Sequence, residues 1–377
     1  MGVSAYWMIV VAIIVCGVIL PQRGQKKKTY VIIIAAVHTF VCGFRYIHLV
    51  GDLMKYHHTF NTLMDVGYFS SNAFHDGRNF LFYWIMKAVA DLTGGNFQVL
   101  LMLLAIITEV IIAVLIFRYS PQPWLSYLVW DCMAFFITYG ICAIKQGLAM
   151  AILMCSFMCI IEKTPRRFCV FTVIAGLIHM PAFCFLPAYW LARRRVNKNN
   201  ILLYVLAGTV VFLLRTPIVN VISLIYYEDE SFMLTSAGLG GRFLLIVLLL
   251  LCGLLLKGFQ EKNFECLFNL IMIAAIFQMF SGFNNIFTRL ADYYLQFVVL
   301  YIPMLFYKAD DEVELNATYM RPTLFLTGQS KILLPVLAAV VLIWYYWRTC
   351  LSVPAANSVD NYVNFRFMWD VMNDVLW

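Results

Sequence analysis

The sequence predicts an all-α integral membrane protein, a polytopic bundle of about 10–12 transmembrane or re-entrant helices. Three observations carry this. Hydrophobic residues make up 63% of the 377 positions and charged residues only 12%, against roughly 25% charged in a soluble domain. Such a chain cannot cover a water-facing surface with polar groups, and lipid removes that need. Long apolar runs follow: Ile201 to Ile225 holds a single charge, Arg215, and Phe243 to Leu256 holds none. A bilayer core takes ~20 apolar residues of helix. Finally, the basic residues behind the net charge of +7 cluster between the apolar runs. That arrangement sets membrane orientation and excludes a nucleic-acid partner as the reason for the charge.

Cytoplasmic loops collect Lys and Arg, which fixes a topology. Arg23 with Lys26, Lys27 and Lys28, then Lys163 with Arg166 and Arg167, then Arg193–Arg195 with Lys198, then Lys257 with Lys262 are all placed inside. Tyr6–Leu20 then runs inward as a first span rather than a secretion signal, because the basic cluster follows it. Tyr30–Phe44 returns outward. Residues 45–79 form an external loop of histidines, aspartates and aromatics. Phe80–Leu92 is short for a span and ends in Thr93-Gly94-Gly95, so it reads as a helix at or dipping into the outer surface. Phe97–Phe117 runs in, Trp124–Tyr139 out and Gln146–Ile161 in, with Gly140–Lys145 as an outer turn. Phe168–Ala192 would be about 37 Å long as one helix. Both its flanks are basic and its middle reads His179-Met180-Pro181, where proline removes a backbone donor. Two readings stay open: a broken segment whose halves both start inside, or one kinked span. Ile201–Tyr227, Arg242–Leu256, Phe264–Phe280, Ile286–Phe306 and Ile332–Trp347 complete the bundle. The whole chain, 1–377, reads as a single polytopic domain with a cytoplasmic loop at 308–331 and an external tail at 351–377. Its cysteines lie mostly in apolar runs, where they act as small hydrophobes, and suggest neither a metal site nor a disulfide framework.

Ionisable residues in or beside spans are costly and usually face a cavity. On this topology Arg45, Lys145, His179, Arg242 and Arg289 share the outer half of the protein, a plausible anion site. Each has a bland reading beside that one. Arg45, Lys145 and Arg242 lie near helix ends, where long side chains snorkel to headgroups. Arg289 has Asp292 three residues on along a helix face. A lone histidine in apolar sequence is more often a hydrogen-bonded core residue. Glu228-Asp229-Glu230 reads as a solvated loop, with a divalent-ion site as its rival.

These residues carry a family resemblance. Phe44-Arg45-Tyr46, Gly51-Asp52 and Tyr56 resemble the arginine–aspartate–tyrosine opening of EpsG-type polysaccharide polymerases, relatives of Wzy. Gly95-Asn96-Phe97-Gln98, Ser120-Pro121-Gln122-Pro123-Trp124, Ile144-Lys145-Gln146-Gly147-Leu148-Ala149 and Ile178-His179-Met180-Pro181-Ala182 resemble its later motifs. The match covers residues 1–195 well and then rests on Arg242 and on Arg289 with Tyr293. There are departures: Lys145 stands where the family usually has arginine, Gly51-Asp52 is one residue short of its Gly-x-Asp, and Arg78 takes the place of an acidic residue.

The resemblance implies a glycosyltransferase with no cofactor and no metal. It would join polyprenyl-pyrophosphate-linked oligosaccharide repeats on the outer face of the cytoplasmic membrane, in the lipid bilayer and with other polysaccharide-assembly proteins as partners. Departing pyrophosphate calls for fixed cations, for which Arg45, Lys145, Arg242 and Arg289 are candidates. The acceptor hydroxyl calls for a base: His179 first, Asp52 second. Tyr56, Gln146 and Tyr293 are candidates for substrate contact, and the aromatic Tyr46, Tyr68 and Phe69 for sugar faces or an interfacial belt. The alternative function is a transporter or flippase of the same lipid-linked sugar. That reading expects internal repeats and a midplane site, and the sequence shows no repeat of fixed period.

Overall fold

The computed structural model describes residues 2–20, 23–46, 51–68, 79–226, 238–256, 262–307, 330–351 and 367–369. Much of the expected external loop (47–50 and 69–78), most of the expected cytoplasmic loop (308–329), most of the tail, and Phe69, Arg78 and Glu228-Asp229-Glu230 lie outside the described residues. Everything described is helix, turn or connection, apart from one isolated antiparallel bridge between Arg45 and Phe367. The protein is all-α, as its composition predicts. The chain divides into two compact units, Met1–Met158 with Arg166–Phe183 and Pro335–Trp377, and Cys159–Pro165 with Cys184–Leu334.

The first unit begins with α1 (Gly2–Ile19), α2 (Gly24–Gly43), α3 (Gly51–Met64) and α4 (Phe80–Thr93). It continues with α5 (Phe97–Tyr119), α6 (Pro123–Cys132), a π-helical turn (Phe136–Cys142), α7 (Ile144–Glu162) and α8 (Pro165–Ile178). Its frame is the seam between α2 and α5. Tyr30, Ile34, His38 and Val41 recur at helical spacing on the buried face of α2, and Leu101, Leu104, Ala105, Ile112 and Leu115 do so on α5. The opposite faces are equally apolar. Ile32 and Phe40 on α2, and Val99, Ile106, Val110 and Val114 on α5, are exposed. A helix apolar all round yet half uncovered needs an apolar surrounding. The exposed stripes are therefore lipid-facing surface, and the burial pattern repeats at residue level what the composition predicts.

Helix lengths sharpen the picture. Phe97–Tyr119, Ile144–Glu162 and Leu333–Leu351 are each long and apolar enough to cross a membrane, and two bent pairs raise the number to as many as five. The expected run Trp124–Tyr139 is one of these pairs: α6 and the π-helical turn meet at 73°. Ala134 explains the bend. It takes φ 65, a left-handed conformation that a residue with a Cβ adopts at a cost, so the helix cannot run through it. The expected run Ile201–Tyr227 likewise splits into α10 (Lys198–Leu213) and α11 (Arg215–Tyr226), bent by 61° at Leu214. Ile286–Phe306 splits into α14 (Asn285–Leu295) and α15 (Val298–Phe306). In Phe168–Ala192, α8 stops at Ile178, Met180–Phe185 forms a 3-10 turn, and only α9 (Ala188–Leu191) follows. The break thus falls at His179-Met180-Pro181.

The second unit contains α9 to α11, α12 (Gly240–Leu256), α13 (Lys262–Gln278), α14 and α15. Close approach is set by Gly253, which leaves room for the Tyr301 hydroxyl to donate to Leu249 O at 3.0 Å. Polar side chains complete exposed backbone ends. Asn197 and Asn284 cap α10 and α14 by accepting from Asn200 and Ile286 amides at 2.8 Å. The Asn269 amide donates to Ala192 and Arg194 carbonyls at 3.0 and 2.7 Å. An apolar cleft of about 430 Å³ lies between α10, α12 and α13, lined by Tyr204, Phe212, Phe243, Val247, Phe268 and Met272 among others. The last helix, α16 (Ser330–Tyr346), leads into a π-helical turn at Trp347–Leu351.

One glycine makes the fold testable. A Cβ on Gly147 would sit 2.1 Å from the Tyr139 carbonyl oxygen, while one on Gly67 meets nothing within 4 Å. Gly147→Ala is expected to cost about 1–3 kcal/mol through overpacking, read as a lower thermal midpoint of the detergent-purified protein. Gly67→Ala, the control, is expected to unfold like wild type.

Candidate functional site

In the first unit the motif residues gather at one end of the α2–α5 pair. Arg45 follows the last turn of α2. It is 1% exposed, and its guanidinium donates to Cys42 O at 2.5 Å. Gln98, near the start of α5, donates its side-chain amide to Gly43 O and, at 3.4 Å, to Arg45 O. Asn96 caps α5 by accepting from Gln98 N at 3.1 Å. Tail residues reach the same end: Met368 N donates to Phe44 O at 2.9 Å, and Trp369 packs on Phe40 and Phe44. Arg45 therefore lies behind protein, facing a small cavity with Cys42, Glu109, Tyr139 and Gly140.

Lys145 is placed differently. It enters the first turn of α7 directly after the π-helical turn, and its ammonium lies 5.9 Å from the ring centres of both Tyr56 on α3 and Tyr83 on α4. Two aromatic faces thus hold one half-buried cation. Asp52 stands one turn before Tyr56 on α3, half-buried and on the same helix face. Gln146 is 1% exposed and points into the protein.

His179 is half-buried at the break after α8. Its amide donates to Ala175 O at 2.8 Å and its carbonyl accepts from Ala182 N at 2.9 Å, so the backbone at the break is satisfied without Pro181. The next amide, Met180 N, donates to Asn79 Oδ1 at 2.8 Å. Asn79 opens α4 in a left-handed conformation. The same short helix therefore touches the histidine turn through Asn79 and Lys145 through Tyr83. Elsewhere on α4, Lys87 lies over the Tyr68 ring at 5.1 Å and donates to Asp91 at 2.8 Å. That hydrogen bond, with help from the Tyr68 hydroxyl, holds Asp91 below the usual carboxylate range.

In the second unit, Arg242 in the first turn of α12 makes a bidentate contact with the Asp292 carboxylate on α14. The expected alternative partner for Asp292 was Arg289. Both carboxylate oxygens instead meet Arg242, and Arg289 is exposed. Tyr293 is fully buried. Leu239 and Phe243, which bracket Arg242 in the chain, line the apolar cleft.

Three ionisable residues escaped the sequence reading. His38 on α2, Glu109 on α5 and Asp131 on α6 meet in the core of the first unit, His38 Nδ1 3.2 Å from Glu109 and Nε2 3.4 Å from Asp131. The signal was present, since each is an ionisable residue inside an apolar run. Attention to the ends of runs missed it. Among the described residues, no group of three His, Cys, Asp or Glu has the arrangement to hold a metal ion.

The family model that matches this chain is that of the EpsG family, over residues 28–365. No curated protein and no solved structure matches. The match covers far more than half of the sequence, and the chain belongs to the EpsG family.

The Arg242–Asp292 pair makes a direct prediction. Asp292 is nearly fully buried, so Arg242→Ala strands its charge and is expected to cost about 3–5 kcal/mol. The double variant Arg242→Ala, Asp292→Ala removes both charges. It is expected to unfold at a higher temperature than the arginine variant alone.

Proposed function

We propose that this EpsG-family membrane protein of polysaccharide biosynthesis is a glycosyltransferase. It polymerises polyprenyl-pyrophosphate-linked oligosaccharide repeats on the outer face of the cytoplasmic membrane. The arrangement of Lys145 on Tyr56 and Tyr83, with the His179 turn held by the same helix, supports the reading best. One short helix contacts both a cation on flat aromatic faces and the turn that carries a titratable group. Sugars stack on such faces, and pyrophosphate oxygens meet such cations.

In the transfer, the acceptor hydroxyl oxygen bonds to the anomeric carbon at the end of the growing glycan as the bond from that carbon to pyrophosphate breaks. The hydroxyl proton goes to a base, for which His179 is proposed, with Asp52 as the second choice. The pyrophosphate leaves with its electron pair as an anion, and fixed positive charge lowers the barrier. Lys145 is proposed for that contact. Arg45, shielded in this structure, is proposed to act on the same charge through its field. Within the first unit, Gln146 and Tyr56 are proposed to position substrate; within the second, taken by itself, Arg242 and Arg289 are proposed to bind pyrophosphate and Tyr293 to position substrate. The four basic clusters place the chain termini and the 45–79 loop outside the cytoplasm on this reading.

The deciding experiment is glycan analysis of a deletion strain complemented with this chain. Loss of polymer with single repeats retained at the outer face supports a polymerase. Repeats accumulating inside the cell support a flippase instead. Lys145→Ala is expected to abolish long glycan while membrane expression persists, and Lys145→Arg to keep it. General-base catalysis contributes typically ~10² to 10⁴-fold, so His179→Gln is expected to lose turnover by at least about a hundredfold. Full activity in that variant would leave His179 only a turn-forming role.

A further inference from the structure

The cluster of His38, Glu109 and Asp131 is not used by the chemistry above. All three are at most 1% exposed, and they come from three different helices, so the packing of α2, α5 and α6 has built the meeting point. One imidazole reaches two carboxylates, one with each ring nitrogen. An imidazolium neutralises only one of them. The other stays negative in an apolar interior, where an unpaired charge is strongly disfavoured. The hydrogen bonding is incomplete too: Glu109 Oε1, both oxygens of Asp131 and His38 Nε2 have no hydrogen-bond partner.

Among the described residues, the remaining groups around the cluster leave one source of compensating charge. Tyr127 on α6 lies edge-on to the His38 ring at 5.5 Å. Tyr346 on α16 interacts with Asp131, and Cys42 and Tyr139 line the cavity beside Glu109. Phenols and thiols keep their protons near neutral pH, so they contribute no charge. Arg45 does. It shares with Glu109 a cavity that has about 10 Å³ of space for the centre of a water molecule, room for about one water. Arg45 Nε and Glu109 Oε1 are both buried there without a hydrogen-bond partner. A single water accepting from the guanidinium and donating to the carboxylate satisfies both.

We propose that His38, Glu109 and Asp131 form a proton-binding site inside the membrane domain, with Glu109 taking up a proton from water whenever the positive charge of Arg45 is neutralised. The imidazole then keeps its own proton and, 3.4 Å from Asp131, balances its charge, while the protonated Glu109 carboxyl donates into the cavity. The charge balances in both states: imidazolium and guanidinium against two carboxylates, or imidazolium against Asp131 alone once the field of an anion at that end of the bundle offsets Arg45. Arg45 thereby links events at its end of the bundle to a proton held in the core, as intramembrane ionisable groups do in proton relays.

The test needs neither a substrate nor activity. Infrared difference spectra of the full-length protein in lipid nanodiscs are recorded from about pH 4 to 9, in H₂O and D₂O. The expected result is a protonated-carboxyl band that titrates within this range, moves on deuteration and is lost in Glu109→Gln. In Arg45→Gln the same band is expected to be severalfold stronger at pH 7, because the competing positive charge is gone. A folded wild-type protein with no exchangeable carboxylic-acid band at any pH would overturn the proposal, and that result does not depend on any variant folding. A band that survives Glu109→Gln, or that Arg45→Gln leaves unchanged, would also overturn it. A fixed, purely structural ion pair predicts that unchanged outcome.

Discussion

Polar groups removed from water must find partners within the protein, and this requirement governs the arrangement more than any other. In lipid the alternative partner is hydrocarbon, so an unmatched amide, carbonyl or charge has nowhere to turn. Continuous helix meets the requirement for most of the chain. Its consequences show where helix fails. At the Ala134 bend, Thr138 N returns to Ala134 O at 2.9 Å and Ala143 N to Thr138 O at 2.7 Å, so the π-helical turn restores the bonds that the bend interrupts. At His179 the histidine backbone bonds in both directions, and Asn79 takes up the next amide. At the end of α2, Gln98 covers carbonyls that no further turn of helix reaches. The break at His179 and the end of α2 are each stitched by a polar side chain, and both lie at a motif.

The same requirement separates two kinds of motif residue. Asn96, Gln98 and Gly147 are explained by backbone alone: a cap, a carbonyl partner and a close approach to the Tyr139 carbonyl. Lys145, His179 and Asp52 are placed differently. Their side chains are half-buried on elements that those backbone devices hold in place. A conformationally fixed frame carrying partly accessible ionisable groups is what a site needs in order to be preorganised.

The sequence revealed the fold class because composition and run length are direct consequences of the solvent. Apolar helices exposed on one face and packed on the other, as in α2 and α5, have no polar periodicity to read, and the seam between them was invisible for that reason. The positions of helix starts, such as Phe80 and Phe97, were legible because an apolar run opens at each behind a polar stretch. The bends at Ala134 and Leu214 were not, since neither residue is a habitual helix breaker and the strain is set by packing. Pro181 is such a breaker, and that break was legible. Among ionisable residues, the sequence reading singled out those at the ends of runs and passed over those in their midst. His38, Glu109 and Asp131 lie far apart in the chain, and only the packing of three helices gives them a common location. Asp292 adds a partner that sequence proximity did not suggest, for Arg242 lies fifty residues away in the chain and meets it in space.

Lysine at position 145 can be understood in these terms. Arginine offers a planar fork for two oxygens of one phosphate, and lysine gives that up for a compact, strongly hydrated charge. A point charge gains little from orientation but much from walls that limit where it can move. Tyr56 and Tyr83 supply such walls, each ring centre 5.9 Å from the ammonium. Their negative faces attract the cation. The Arg242–Asp292 pair is the contrast, because there the cation is already matched by a full opposite charge. Of the two arrangements, the lysine gives up bidentate geometry for a compact charge whose position two aromatic rings confine.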